Sequence, residues 1–260
     1  MSGGSGGSWD DLKPRVISGG VLAVVGAGAV WAGGVWFLAL IAISSGLMIW
    51  ELGRMVSPEL GSELIIMGGV AALAVVLTTL LPGVYTAPII LGFVGAAWSR
   101  IRKTRTMFFL YALLIMVAGY GFIQLRQDLG LIWMLWLLLV VVTSDMAGYV
   151  AGRLLGGPKF WPAVSPKKTW SGTIAGWIGA GVVGLFFEPT LMFALMSAAV
   201  AFAAQMGDIA ESAIKRKCGI KDSSNLIPGH GGFMDRFDGM LGASVVVLLL
   251  VLLTDFAAIG

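Results

Sequence analysis

The stretch LIWMLWLLLVVVTSDMAG (131–148) decides the fold class. It carries no charge before Asp145 and is long enough to cross a bilayer, which takes about 17–25 apolar residues at about 1.5 Å rise each. Long apolar runs recur on both sides of it, at 16–32, 35–50, 62–81, 84–98, 107–123, 172–187, 191–206 and 239–254. With 131–148 they make nine candidate spans. The run 84–98 is short and holds Pro88, so it is expected to be tilted, kinked or buried in the bundle. Gly33-Gly34, Pro82-Gly83 and Glu188-Pro189 are tight turn signals between runs. The expected fold is all-α, a polytopic membrane helix bundle of about nine transmembrane helices.

Composition agrees. Of 260 residues, 58% are hydrophobic and 12% charged, and the mean hydropathy is +0.92. A soluble domain carries about 25% charged residues. Half that charge cannot coat a water-facing surface. A soluble enzyme, a disordered chain and a nucleic-acid-binding domain are poor fits, so no nucleic-acid partner is expected. The 38 glycines follow no G-X-Y period, which excludes collagen, and small residues suit close helix packing in lipid. The single cysteine, Cys218, forms no intrachain disulfide and no cysteine-based metal site. The first eight residues, MSGGSGGS, read as a flexible linker-like tail, and no signal-peptide pattern follows them. The division expected is a cytoplasmic tail at 1–15, N-terminal transmembrane helices at 16–130 and a C-terminal catalytic region at 131–260.

The nine spans sort the 17 lysines and arginines unequally. All fall in alternate connectors on one side except Arg126. Cationic connectors stay inside, so the N-terminus is expected in the cytoplasm and the C-terminus outside. Trp31, Trp50, Trp98, Trp133 and Trp170 fall near span ends, as an interfacial belt would place them.

Two segments on the cationic side break the apolar pattern, SDMAGYVAGRLLGGPKFWPAVSPKKTWSG (144–172) and GDIAESAIKRKCGIKDSSNLIPGHGGFMDRFDG (207–239). Together they hold the only histidine and five aspartates. Asp208, Asp222, Asp235 and Asp238 are hard oxygen ligands suited to Mg²⁺. Lys215, Arg216, Lys221 and Arg236 are phosphate partners. Pro228-Gly229-His230-Gly231-Gly232 is a loop whose amides can approach an anion. Carboxylates, cations and a glycine loop are what a metal–nucleotide polyphosphate requires. Asp145 and Asp208 each abut a long apolar run, where an ionised carboxylate is costly and usually functional. Arg153 lies eight residues after Asp145, about two helical turns, on roughly the same face. Asp208 and Glu211, three apart, share a face in the same way. The cluster Arg100–Arg105 has the blander reading of a topology signal. A lone histidine such as His230 is more often structural than catalytic, and Asp255 reads as interfacial.

From Ser212 to Asp238 the chain resembles the signature of the phosphatidate cytidylyltransferases, or CDP-diacylglycerol synthases. The residues that carry the resemblance are Ser212, Ile214-Lys215-Arg216, Lys221-Asp222, Ser224, Ile227 to Phe233, and Asp235-Arg236-Phe237-Asp238. Ser165-Pro166-Lys167-Lys168-Thr169-Trp170 and Asp145, Tyr149, Gly152 and Arg153 are similar to further blocks of that family. Ser171 stands where many relatives carry Glu, and Gly239 where many carry Ser. The N-terminal half matches only in being multi-pass and apolar.

The resemblance implies transfer of CMP from CTP to phosphatidic acid, giving CDP-diacylglycerol and pyrophosphate, at the cytoplasmic face of a bacterial-type inner membrane. It implies Mg²⁺ held by Asp208 and Asp235, with K⁺ as an allowed second cation. Asp208, Asp235, Lys215, Arg216, Lys221 and Arg236 then carry catalysis. Asp145, Arg153, Ser165, Lys167, Lys168, Thr169, Asp222, Gly229, His230, Gly231, Gly232 and Asp238 bind substrate. Membrane lipids are expected partners, and a homodimer is left open. Two other readings compete. A CTP-dependent lipid kinase would release CDP. A secondary transporter would place its charges near the midplane of repeated halves, whereas these cluster at one face without a repeat. A CDP-alcohol phosphotransferase is rejected, because Asp238-Gly239-Met240-Leu241-Gly242 does not continue its motif.

Overall fold

The structure, a computed structural model, describes residues 8–254, with side chains from Arg15 onward. The linker-like start through residue 7 and Asp255 lie outside the described residues. The described residues form nine α-helices: α1 (Ser8–Ala32), α2 (Gly34–Val56), α3 (Glu63–Leu80), α4 (Thr86–Arg100), α5 (Arg105–Gln124), α6 (Leu131–Leu154), α7 (Trp170–Phe187), α8 (Leu191–Lys217) and α9 (Asp238–Leu253). Each expected span falls on one of them. Seven are long and apolar enough to cross a membrane; α4 and α9 are shorter. The chain is an integral membrane protein; among the described residues the helices are joined by turns and loops, and one antiparallel hairpin pairs β1 (Lys159–Trp161) with β2 (Ser165–Thr169). Pro88 sits in the first turn of α4, where its missing N–H costs no helical hydrogen bond.

Small residues explain how the helices approach one another. A Cβ on Gly46 of α2 would lie 2.7 Å from the Gly68 carbonyl of α3, and one on Gly148 of α6 would lie 3.2 Å from the Gly172 carbonyl of α7. Gly207 of α8 and Gly242 of α9 leave no room for a Cβ against the Asp238 and Ala203 carbonyls. Lipid tails are as apolar as Leu, so this close packing replaces the hydrophobic drive that assembles soluble bundles. Val24, Ile66, Ile178 and Leu253 remain exposed for lipid, while Trp136 is fully buried and donates from Nε1 to Ser197 Oγ at 3.0 Å.

The helix ends sort by charge. Ser18, in the third turn of α1, meets the Pro228–His230 loop, and the end of α2 meets Phe233 and Met234. Arg126 lies at the other end of the bundle, where its Nε donates to Val30 O at 2.8 Å and its Nη2 to Trp31 O at 3.1 Å, closing the end of α1.

Candidate active site

The two polar segments are not plain connectors. Residues 144–154 complete α6 and residues 207–217 complete α8. Polarity breaks the hydropathy pattern there, but the helical hydrogen bonds continue past it. Asp145, Arg153, Asp208, Lys215 and Arg216 therefore stand on rigid helix ends rather than on loops.

Asp145 and Arg153 share a face of α6, as their spacing predicts, and both line a cavity of about 520 Å³. Lys167, Lys168 and Thr169 of the hairpin close its other side, with Ser144 and Gln205 also in the lining. Arg153 Nη1 donates to Tyr149 Oη at 2.9 Å. The hairpin register, Lys159 opposite Thr169 and Trp161 opposite Ser165, delivers Thr169 to the start of α7. There its Oγ1 accepts from Gly172 N at 3.2 Å as an N-cap. Ser171 Oγ donates to Gly156 O at 2.5 Å, so the residue at this departure from the family pattern ties down the hairpin base. Ser165, at the far end of β2, does not line the cavity.

One contact joins this cavity to the second segment. Lys168 Nζ lies 2.5 Å from Asp208 Oδ2, and neither side chain is more than about a third exposed, at 25% and 34%. Asp208 Oδ1 accepts from Ser212 Oγ at 3.3 Å. One turn further on, Lys215 Nζ bridges Glu211 Oε1 at 3.2 Å and Asp235 Oδ1 at 2.7 Å. Glu211 is fully buried beside Asp235 and Asp238. Asp238 opens α9 and accepts from the Gly239 N–H at 2.7 Å, and its backbone packs on Gly207, next to Asp208. Four carboxylates thus gather around the Lys215 and Lys168 ammonium groups.

The signature loop is wound around Asp235. Its Oδ2 accepts from Ser223 N at 3.0 Å, Ser223 Oγ at 3.0 Å and Gly232 N at 2.8 Å. Burial alone would raise the Asp235 carboxyl. The hydrogen bonds from Lys215 and the Gly232 amide outweigh it and hold the group below its ordinary value. Gly229 and Gly231 take φ of +74° and +85°, a region that L side chains rarely enter. A Cβ on Gly232 would collide with Ser223 Oγ.

A residue outside both segments clamps the same loop. Glu51, in α2, is fully buried. Its Oε1 accepts from Phe233 N at 2.8 Å and Ser224 Oγ at 2.5 Å, and its Oε2 from Met234 N at 2.6 Å and Ser223 Oγ at 3.3 Å. Four donors on one carboxylate fill its acceptor capacity. Sequence reasoning missed Glu51 because the expected span ended at Trp50. The signal available was an acid abutting an apolar run, the argument already applied to Asp145.

The remaining expected site residues spread outward. His230 Nδ1 pairs with Ser18 Oγ of α1 at 3.0 Å, and Arg236 Nη2 donates to His230 O at 2.9 Å. Arg216, Lys221 and Asp222 are exposed on the rim. Asp222 backs onto Gly231, whose Cβ would lie 3.3 Å from that of Asp222.

Among the described residues, no three Asp, Glu, His or Cys side chains form a ready metal cage. Mg²⁺ needs none, since it commonly takes one or two carboxylates and completes its shell with phosphate and water. The donor set fits such an ion: hard carboxylate oxygens, with Asp208 partly exposed and holding only an ammonium and a long hydroxyl contact. Asp235 fits once Lys215 leaves its Oδ1.

The pattern of the cytidylyltransferase family runs through residues 13–254, from α1 to the end of α9. The chain belongs to that family. A phosphatidate cytidylyltransferase of Brucella suis biovar 1 is 33% identical over 255 residues, covering 92% of this chain and 93% of its own length. One from Bacillus subtilis strain 168 is 29% identical over 257 residues, covering 89% and 94%. One from Helicobacter pylori strain J99 is 43% identical over 145 residues, covering 52% and 54%. The chain is accordingly a nucleotidyltransferase. Family membership sets aside the transporter reading.

Proposed function

We propose that this cytidylyltransferase transfers CMP from CTP to phosphatidic acid, giving CDP-diacylglycerol and pyrophosphate. The observation that carries this reading is the Lys168–Asp208 contact. It makes one site of a cation-lined cavity and a carboxylate-rich signature loop, one suited to a polyphosphate and the other to a divalent ion.

The chemistry brings two anions together. A phosphate oxygen of the lipid attacks the α-phosphorus of CTP. The bond from that phosphorus to the β-bridging oxygen breaks, and its electrons leave with pyrophosphate. The main task is neutralising charge. A phosphate monoester has a second pKa of about 6, so the nucleophile is largely ionised near neutral pH and no strong base is required. His230, engaged with Ser18, need not act as one. Lys167, Lys168 and Arg153 receive the nucleotide phosphates in the cavity. Lys215 moves from Asp235 to a phosphate, and Arg216, Lys221 and Arg236 on the rim meet the lipid headgroup. Asp208 and Asp235 would hold Mg²⁺, which when bound supplies charge neutralisation at the α-phosphate. Asp145 and Asp238 orient what binds between them.

The site lies on the cationic face of the bundle, which we assign to the cytoplasmic side of a bacterial-type inner membrane. A reporter fused to the C-terminus should read as non-cytoplasmic; a cytoplasmic readout would reverse that assignment. Purified protein given CTP, Mg²⁺ and phosphatidic acid in detergent should form a CDP-lipid and pyrophosphate in equal amounts. Release of CDP with a phosphorylated lipid would replace this reading with the kinase.

A further inference from the structure

A second cavity, of about 430 Å³, lies within the membrane-spanning part of the bundle, bounded by α1, α2, α5 and α6 and by the start of α9. That volume falls within the range of about 300–1,000 Å³ usual for small-molecule sites. Its walls are apolar side chains such as Leu22, Phe37, Ile41 and Phe122, with only the hydroxyls of Ser44 and Ser45 among them. Val142 of α6 and Ala23 and Ala27 of α1 also line it while remaining exposed, so it opens sideways between those two helices. Helix α1 is its outer wall. The wall is pinned at its ends, by Ser18 to Pro228 O and His230 at 3.0 Å, and by Arg126 to Val30 O and Trp31 O.

The two cavities are lined by neighbouring positions of the same helix, next to the reaction site. On α6, Val142 lines the apolar cavity while Ser144 and Asp145 line the polar one. Phe237 lines the apolar cavity, and the backbone of Asp238 beside it packs on Gly207, next to Asp208. A ligand spanning this boundary has a phosphate at one end and a hydrocarbon chain at the other. We propose that the apolar cavity takes one acyl chain of the phosphatidate whose headgroup reacts beside it, so that α1 is a substrate wall and not only an anchor. This rests on the activity proposed above. It differs from the simpler case in which both chains stay in the bilayer and only the headgroup reaches the protein.

Gly26 of α1 lines the cavity, and a Cβ placed on it meets nothing within 4 Å. Gly28 has the same free space but does not line the cavity. Gly26→Phe should therefore intrude on the slot with no clash at its Cβ, and Gly28→Phe is its control on the same helix. Each protein is assayed with CTP and either dioleoyl or dihexanoyl phosphatidic acid. Gly26→Phe should cut the ratio of kcat/KM for the long chain over the short by about tenfold or more, leaving short-chain turnover and the KM for CTP near wild type. Gly28→Phe should keep the wild-type ratio. An unchanged ratio in Gly26→Phe, or an equal loss on both lipids, would overturn the acyl-chain site. Ala23→Phe reads the same ratio should Gly26→Phe fail to insert. Wild-type protein that makes CDP-lipid from neither substrate would instead overturn the underlying activity.

Discussion

Arg100 and Lys168 each meet one carboxylate at 2.5 Å, Glu63 and Asp208 respectively. Their surroundings differ. The Arg100–Glu63 pair is about half exposed on both sides, at 58% and 48%, whereas the Lys168–Asp208 pair sits at 25% and 34%. Arg105, near the first pair, stacks over Trp98 at 4.1 Å from the ring centroid. Lys215, near the second, bridges two further acids. Water screens the first group, so it serves topology and local packing. The second group is drawn from the hairpin, α8 and the signature loop into a partly dry cluster, where each charge acts strongly on its neighbours. Burial and the joining of distant segments separate chemistry from topology; cation count does not.

Substitutions should widen or erase that contrast. The largest effect is expected for Asp208→Asn and Asp235→Asn, which remove anionic oxygens from the proposed metal site. Turnover should fall by about a thousandfold or more while the protein still inserts and purifies. Near-normal activity in either would take that residue out of the site. Next, Lys168→Ala should lower kcat/KM by about a hundredfold, whereas Lys103→Ala and Arg100→Ala should stay within about twofold. Comparable losses in all three would make both cation clusters topological. Smaller again is Glu51→Gln, in which one carboxylate oxygen becomes an N–H donor facing donors. We expect kcat to drop about tenfold with little change in the KM for CTP, since the clamp holds the loop rather than the nucleotide. A wild-type kcat in that variant would show that the loop holds its shape without Glu51.

Much of this was legible in the sequence because lipid imposes length. Each apolar run from 16–32 to 239–254 falls on one helix, since backbone groups in a bilayer must satisfy themselves within a helix. Asp145 and Arg153 meet in one cavity because eight residues return nearly to the same face, and that face persists to the end of α6. Less legible was anything that depends on which helix end lies beside which. No spacing links Glu51 to Phe233, nor Ser18 to His230. The same limit hid the fate of Asp235. Its residue type suits a metal, but only the fold shows Lys215, Ser223 and Gly232 on its oxygens. The polar stretches also looked like connectors, because hydropathy marks where the membrane ends and not where the helix does.

The central claim is that both segments form one centre that moves the α-phosphorus of CTP onto a lipid phosphate. Positional labelling tests it most directly. Wild-type protein given phosphatidic acid and Mg²⁺ should place label from [α-³²P]CTP in the lipid, and label from [γ-³²P]CTP in pyrophosphate alone. Label from the γ position in the lipid would contradict the account.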